Sequence, residues 1–386
     1  PFGVHSIRDA DLAEGVVNPY DPQNPAKPDY FGGRESILHV ARERISKASQ
    51  QKQSGGLLVY GYRGVGKTSL VTKIISLVEP KNGGSPNIIV VFRRLSKTTS
   101  DTELYQIITE SVIEQINQRK SVWEQLRASV SSAKVFDIEF DFNSEVWKQK
   151  TPYFQWTSIV QNIKNADFIL LAIDDADYLS SEALGELKTI VEGQNNTPVL
   201  LVVSGGIDFE ERLVEDYSPI ARIFSGASFN LSEFELDETK EVLNKPLVSS
   251  NAHWTEDGIS EVQALSRGYP YLVQCVASAS YLENGGINKE QVRNSQNAAL
   301  EIGKPWLSHE LEFASDTDFI CFLKIIKLNK TILKSSDMQA AGVSPIYIGR
   351  LVTLKVIKKI SRGRYSLQKP PIIAYYHTLR RGIATG

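Results

Sequence analysis

Gly61-Tyr-Arg-Gly-Val-Gly-Lys-Thr68 decides the fold. It meets the pattern G-x-x-x-x-G-K-[ST] at every fixed position. It also stands where that pattern has meaning, after the apolar run Leu57-Leu-Val-Tyr60 and before Ser69-Leu-Val-Thr-Lys-Ile-Ile-Ser-Leu-Val78, which reads as a helix. Glycines let backbone N–H groups wrap a phosphate, and the following helix turns its positive end toward the same anion. Lys67 is expected to reach the β- and γ-phosphates of ATP, and Thr68 to ligate Mg²⁺. The expected nucleotide-binding set is therefore Gly61, Tyr62, Arg63, Gly64, Val65, Gly66, Lys67, Thr68 and Ser69. A chance glycine-rich loop is the competing reading, and the flanking strand and helix weigh against it.

Such a loop needs an acidic partner. Ile169-Leu-Leu-Ala-Ile-Asp174-Asp175 supplies one, an apolar strand ending in two carboxylates. Asp174 is expected to hold the Mg²⁺ shell, and Asp175 to polarise the attacking water. Aspartate is one methylene shorter than glutamate, so slow, switch-like hydrolysis is expected. The next apolar run, Val199-Leu-Leu-Val-Val203, ends at Ser204, where a hydroxyl could sense the γ-phosphate or simply begin the turn at Gly205-Gly206. Arg222, at the end of a later helical stretch, is the candidate for stabilising charge on the transferring phosphoryl group. It reads equally well as a surface arginine or an internal salt bridge.

Working outward, Arg34–Gln51, Asp101–Ser129, Trp156–Asn165 and Ser181–Gly193 have helical period, while Asn87–Phe92 and Phe168–Ile173 are further buried strands. Short apolar strands alternating with helices predict a parallel sheet wound in βα units. Val135-Phe-Asp-Ile-Glu-Phe-Asp-Phe142 alternates apolar with acidic and predicts a half-exposed strand. Four prolines between Asn18 and Pro28 exclude a helix there. From Ser232 to about Leu311 only helices are expected.

The chain's 43 basic and 45 acidic residues give a net charge of −2, which hides an asymmetry. From Cys321 to Gly386 there are thirteen basic residues against Asp337 alone, a net +12, which leaves −14 for the rest. A basic tail on an acidic body suggests a polyanionic partner, with a solvated basic face as the bland alternative. The tail also has a pattern. Asp316–Leu328 and Lys334–Ala341 read as helices, the second stopped by Gly342, and Ser344-Pro345 opens a third that runs to about Leu354. Val356–Ser361 and Arg364–Leu367 flank Arg362-Gly363 as a tight hairpin. Three helices and a basic hairpin predict a winged helix-turn-helix. Tyr347 and Arg350 would then face a major groove of duplex DNA, with Lys358, Lys359, Arg362 and Arg364 on phosphates. Use of the same unit for protein contact is the alternative.

The remaining features narrow the class. A chain of 386 residues with 41% hydrophobic and 23% charged residues is an ordinary globular composition of two to three domains. Two cysteines, Cys275 and Cys321, are too few for a disulfide scaffold. No apolar run approaches the roughly 20 residues of a membrane span. Pro1-Phe-Gly-Val-His-Ser lacks the layout of a signal peptide. A reduced, cytoplasmic setting without membrane contact is the expectation.

The order Phe31-Gly-Gly-Arg-Glu35, phosphate loop, Ile173-Asp-Asp-Ala-Asp177, Ser204, Ser218-Pro-Ile-Ala-Arg222 and Arg267-Gly-Tyr-Pro270 resembles the AAA+/STAND P-loop ATPases, close to the archaeal-type and origin-initiator branches. The resemblance spans about residues 18–380. It implies an α/β P-loop core of the ASCE type, a helical lid and the C-terminal winged helix. The boundaries expected are an extended segment over 1–30, a core over 31–230 with an insertion near 121–155, a lid over 231–312 and a winged helix over 313–386. It implies that Phe31, Gly33, Arg34, Arg267 and Pro270 approach the nucleotide, and that copies of the chain assemble in a nucleotide-dependent way with Arg222 reaching a neighbour. Many relatives carry glutamate where Asp175 stands. The function implied is an ATP-driven switch coupled to duplex DNA. Two other readings stay open: a signalling or anti-phage-defence ATPase whose winged helix binds an effector protein, and a loader of a helicase or transposase.

Overall fold

A computed structural model describes residues 18–79, 87–97, 99–118, 149–163, 166–193 and 197–383. The strand expected over 135–142, and most of the insertion expected near 121–155, lie outside these residues. The described residues form two compact units, one over Arg34–Ser232 and one joining those up to Gly33 with those from Glu233 onward.

The first unit runs α1 (Glu35–Gln50), β1 (Gly55–Gly61), α2 (Lys67–Ser76), β2 (Ile89–Arg94), α3 (Asp101–Gln118), α4 (Pro152–Asn162), β3 (Ile169–Asp174), α5 (Ser181–Glu192), β4 (Val199–Gly205), α6 (Phe209–Ala221) and β5 (Ser228–Leu231). The five strands form one sheet in the order β2-β3-β4-β1-β5. All of its pairings are parallel. Every residue of β3 and of β4 is buried. That is why both read as unbroken apolar runs: a parallel sheet is covered on both faces. Ile169, Leu171, Ile173, Leu201 and Val203 pack in one cluster with Leu104, Ile108, Trp156, Leu187 and Phe209 of the helices. The intervening Leu170, Ala172, Leu200 and Val202 are buried as well, and α1 and α2 pack against the sheet. The strand order separates β1 from β3 by β4, so the phosphate loop and the acid pair rise from the same edge with the Ser204 strand tip between them.

The second unit contains α7 (Leu236–Asn244), β6 (Asn251–Trp254), α8 (Glu256–Ser266), α9 (Pro270–Ser280), β7 (Asn284–Ile287), α10 (Lys289–Asn294) and α11 (Gln296–Leu307). The expectation of helices alone over 232–311 is corrected here, because β6 and β7 pair in parallel. Four residues are too few for alternation to stand out from a helical period, and Asn284-Gly-Gly-Ile has little strand propensity. Tertiary contacts fix the pair: the Trp254 indole donates to the Tyr20 hydroxyl at 2.8 Å, which donates to Leu243 O at 2.5 Å. Phe31-Gly-Gly33 belongs to this unit. Gly33 N donates to Glu241 Oε2 at 2.8 Å, and Lys245 Nζ to Phe31 O at 2.7 Å.

The same unit continues through α12 (Asp316–Lys327), β8 (Leu333–Lys334), α13 (Ser335–Ala340), α14 (Pro345–Thr353), β9 (Ile357–Ser361), β10 (Arg364–Leu367) and α15 (Pro371–Arg381). The strands form an antiparallel sheet in the order β8-β10-β9. Ser315 and Asp318 close a reciprocal cap on α12, and Gly342, at φ 79°, follows α13 in the left-handed conformation that ends helices. Neither β8 nor α15 stands out in the sequence. The closing helix α15 stacks His377 on Phe319 of α12 with ring centroids 4.5 Å apart. Glu310, in the turn after α11, holds this end of the chain: its carboxylate pairs with Lys369 Nζ, just before α15, at 2.6 Å, and its carbonyl meets His377 Nε2 at 2.6 Å.

Candidate nucleotide site

The loop between β1 and α2 turns on Gly64 and Gly66, whose φ values of 86° and 89° lie in the left-handed region that side-chain-bearing residues avoid. Gly66 is the N-cap of α2 and supplies no side-chain cap, so the positive end of that helix faces the loop, where an anion is favoured. Lys67 Nζ rests on two carbonyls of its own loop, Gly61 O at 2.9 Å and Tyr62 O at 3.1 Å. Burial lowers the pKa of this lysine, while Asp175, Asp177 and Asp174 oppose the shift.

Asp174 ends β3 with no solvent exposure. A bare buried carboxylate would cost several kcal/mol, so its partners matter. Thr68 Oγ1 donates to Oδ2 at 2.7 Å, Arg94 Nε donates to the same oxygen at 2.9 Å, and Ser204 Oγ donates to Oδ1. Ser204 Oγ in turn accepts from Asp175 N at 3.3 Å. The structure thus brings Thr68, Asp174, Asp175 and Ser204 together, with Ser204 as an orienting partner of the acid pair.

Asp175 follows in the left-handed region at φ 58°, a turn that aspartate tolerates better than most residues. Its pKa is raised, first by burial and then by the Asp174 charge, against the pull of Arg94 and Lys67. A carboxyl so tuned suits a general base better than a solvated aspartate does. Asp177 accepts from Gly206 N at 2.9 and 2.7 Å and so ties the β4 tip to the acid-bearing turn.

Among the described residues no group of three or more His, Cys, Asp or Glu could hold a metal ion. Thr68 and Asp174 nevertheless fit Mg²⁺, which commonly takes one or two protein oxygens and completes its shell with phosphates and water. A cationic group, the Arg94 guanidinium, already lies on both oxygens: Nη2 donates to Thr68 Oγ1 at 2.6 Å.

Sequence reasoning missed Arg94. Its signal was weak but present, since an apolar strand that ends in Arg93-Arg94 carries charge toward the strand's C-terminal edge, where ligands of parallel sheets bind.

The other expected residues fall elsewhere. Arg222 is exposed at the end of α6. Arg34 caps α1, and its guanidinium donates to Ser232 O. Arg267, at φ 51°, ends α8, with its pKa lowered by burial, and Pro270 opens α9.

On the C-terminal sheet, Lys358, Lys359, Arg362 and Arg364 are exposed, and none of them makes an ion pair among the described residues. Several other cations of the basic tail are engaged: Lys330 with Asp337, Lys369 with Glu310 and Arg381 with Asp316. Arg350, expected on DNA, places both edges of its guanidinium on Asp318, beside a half-buried Tyr347.

Residues 50–213 match a family described as AAA domain. No curated protein matches the sequence. Among solved structures, the ORC2 protein of Aeropyrum pernix in its ADPNP–ADP complexes is similar at 12% identity and a TM-score of 0.56, covering 95% of this chain and 98% of that one. Its ADP form is similar at 13% identity and a TM-score of 0.50, with the same coverage of 95% and 98%. Likeness at such identity is one of fold. Residues 50–213 thus carry an AAA domain, in a chain that shares the fold of the archaeal ORC2 structures.

Proposed function

We propose that this chain, which carries an AAA domain over residues 50–213, is an AAA+ P-loop ATPase and a nucleotide-driven switch that binds duplex DNA through residues 313–386 used as a winged helix-turn-helix. The observation that carries this reading is the β9–β10 hairpin. Its four cations are exposed and make no ion pair among the described residues, whereas Arg350, Lys330, Lys369 and Arg381 are held by Asp318, Asp337, Glu310 and Asp316. Free cations on a wing are the arrangement that grips phosphates.

At the nucleotide, Lys67 leaves its loop carbonyls for the β- and γ-phosphates, and the α2 N-terminus holds the same anion. Mg²⁺, held by Thr68 and Asp174, would draw charge from the phosphates. Asp175 takes a proton from the attacking water, and Ser204 fixes the acid pair. Phe31, Gly33, Arg34, Arg267 and Pro270 are carried forward as nucleotide contacts on the family resemblance alone. Slow turnover and a nucleotide-dependent homo-oligomer belong to the same proposal, as does a cytoplasmic setting. Among the described residues no helix is long and apolar enough to cross a membrane.

A second reading, an effector protein in place of DNA, draws support from Ile346 and Ile360, which are 75% and 56% exposed near the same helix and hairpin. Binding of the full chain to random duplex DNA separates the two. Affinity that falls steeply between about 50 and 200 mM salt supports DNA. No binding at about 50 mM, the favourable end of that range, overturns it in favour of the protein partner.

A further inference from the structure

We propose that Arg94 is a built-in cation plug at the metal position, so that Mg²⁺ enters with nucleotide only by displacing it. The inference rests on the reading of Thr68 and Asp174 as the metal ligands. The sheet register sets Arg94 of β2 directly beside Asp174 of β3. From there Nε reaches Asp174 Oδ2 at 2.9 Å and Nη2 reaches Thr68 Oγ1 at 2.6 Å. These are the two oxygens assigned to the metal, and each directs a lone pair at the guanidinium. A metal bound at the roughly 2.1 Å that Mg²⁺ demands needs those same lone pairs, so the two cations exclude each other.

The plug is built to leave. The Arg94 side chain is 50% exposed, while Asp174 beneath it is fully buried. Asp175 Oδ2, 3.6 Å from Nε, offers the guanidinium a second anion as it withdraws. In the nucleotide-free protein the plug neutralises the buried Asp174 charge. With nucleotide present, the released arginine is a mobile cation beside the phosphate site. Lysine could not serve in the same way, because a single ammonium on a flexible stem lacks the planar fork that spans two acceptors.

The test is calorimetric titration of ADPNP into the full chain over a series of Mg²⁺ concentrations, for the parent, Arg94→Ala and Arg94→Lys. Thermal melts without nucleotide check that each variant folds, and Arg94→Gln replaces any variant that does not. The Mg²⁺ concentration that half-maximally tightens ADPNP binding should fall by at least about tenfold in Arg94→Ala, the scale of one hydrogen bond to a charged group. Arg94→Lys should follow alanine rather than the parent. An unchanged or raised midpoint in Arg94→Ala overturns the plug. A lysine variant that matches the parent overturns it as well, since mere repulsion between positive charges would then suffice. Both results leave the metal site standing, provided that Mg²⁺ tightens ADPNP binding in the parent. No effect of Mg²⁺ in any of the proteins instead overturns the assignment of Thr68 and Asp174, and the plug falls with it.

Discussion

Arg350 meets Asp318 edge to edge, Nε to Oδ1 at 2.8 Å and Nη2 to Oδ2 at 2.6 Å, and so fastens α14 to the first turn of α12. Asp318 is 1% exposed and also caps α12 through Ser315. The Arg350 bond, followed by the Ser315 hydrogen bonds, lowers its pKa to about 2 against the opposing effect of burial. Because the folded value lies below the ordinary carboxylate value of about 4, the pair contributes stability above that value. The contribution is lost as pH falls toward about 2. Arg350→Ala should therefore raise hydrogen exchange of the α12 and α14 amides by roughly tenfold at neutral pH, the scale of one charge-assisted hydrogen bond. The difference from the parent should shrink in acid. Parent-like exchange at neutral pH would show that the pair contributes no net stability.

Asp175→Asn should keep ATP binding and slow turnover by at least about tenfold, the lower scale for loss of a positioned base. The pH profile provides a second check. Burial and the Asp174 charge raise the Asp175 pKa, so the acid limb of kcat in the parent should lie above the pH at which an ordinary aspartate titrates, and activity should be lost as pH falls through it. Steady-state ATPase rates across pH measure both. If Asp175→Asn hydrolyses ATP at the parent rate, another residue orients the water, and Glu35 is next to be tested.

The phosphate loop and acid pair were legible because each is local: eight consecutive residues, and a strand with its two terminal carboxylates. The parallel sheet was legible because strands buried on both faces are apolar throughout. Arg94 was not, because its role depends on β2 lying beside β3, an adjacency that no spacing encodes across the interval from 94 to 174. The bond between Arg350 and Asp318 was hidden for a related reason. The place of Arg350 on α14 fits a groove-facing residue, and only the packing of α14 on α12 reveals Asp318. The small strands β6, β7 and β8 escaped because two to four residues carry too little pattern. In the tail, summed charge overstated the free cations, since it cannot register that Lys330, Lys369 and Arg381 have acidic partners.

Arg222 is exposed where α6 ends, and in the proposed nucleotide-dependent oligomer its guanidinium would reach a neighbouring copy. Mixing Arg222→Ala with Lys67→Ala protein should restore part of the ATPase activity that each lacks alone, because one supplies an intact site and the other an intact arginine. Assembly is followed by light scattering with and without ATP. Absence of rescue at any ratio, with assembly confirmed, would assign Arg222 a role within its own chain.

If the β9–β10 hairpin serves as the proposed DNA-binding wing, its cations should act differently from the helix beside it. Phosphate contacts release counterions, so each one adds about −0.9 to the log–log dependence of affinity on salt. Replacing Lys358, Lys359, Arg362 and Arg364 together by alanine should weaken binding to all duplex sequences and flatten the slope by up to about four units. All four are exposed, so the variant should melt as the parent does and retain its ATPase activity. Replacement of Tyr347 on α14 should instead reduce preference among sequences while leaving the slope almost unchanged. Fluorescence anisotropy with labelled duplexes across a salt series reads both effects. A quadruple variant that keeps the parent slope would remove the β9–β10 hairpin from the proposed DNA contact, and the exposed Ile346 and Ile360 would then direct the search toward a protein partner.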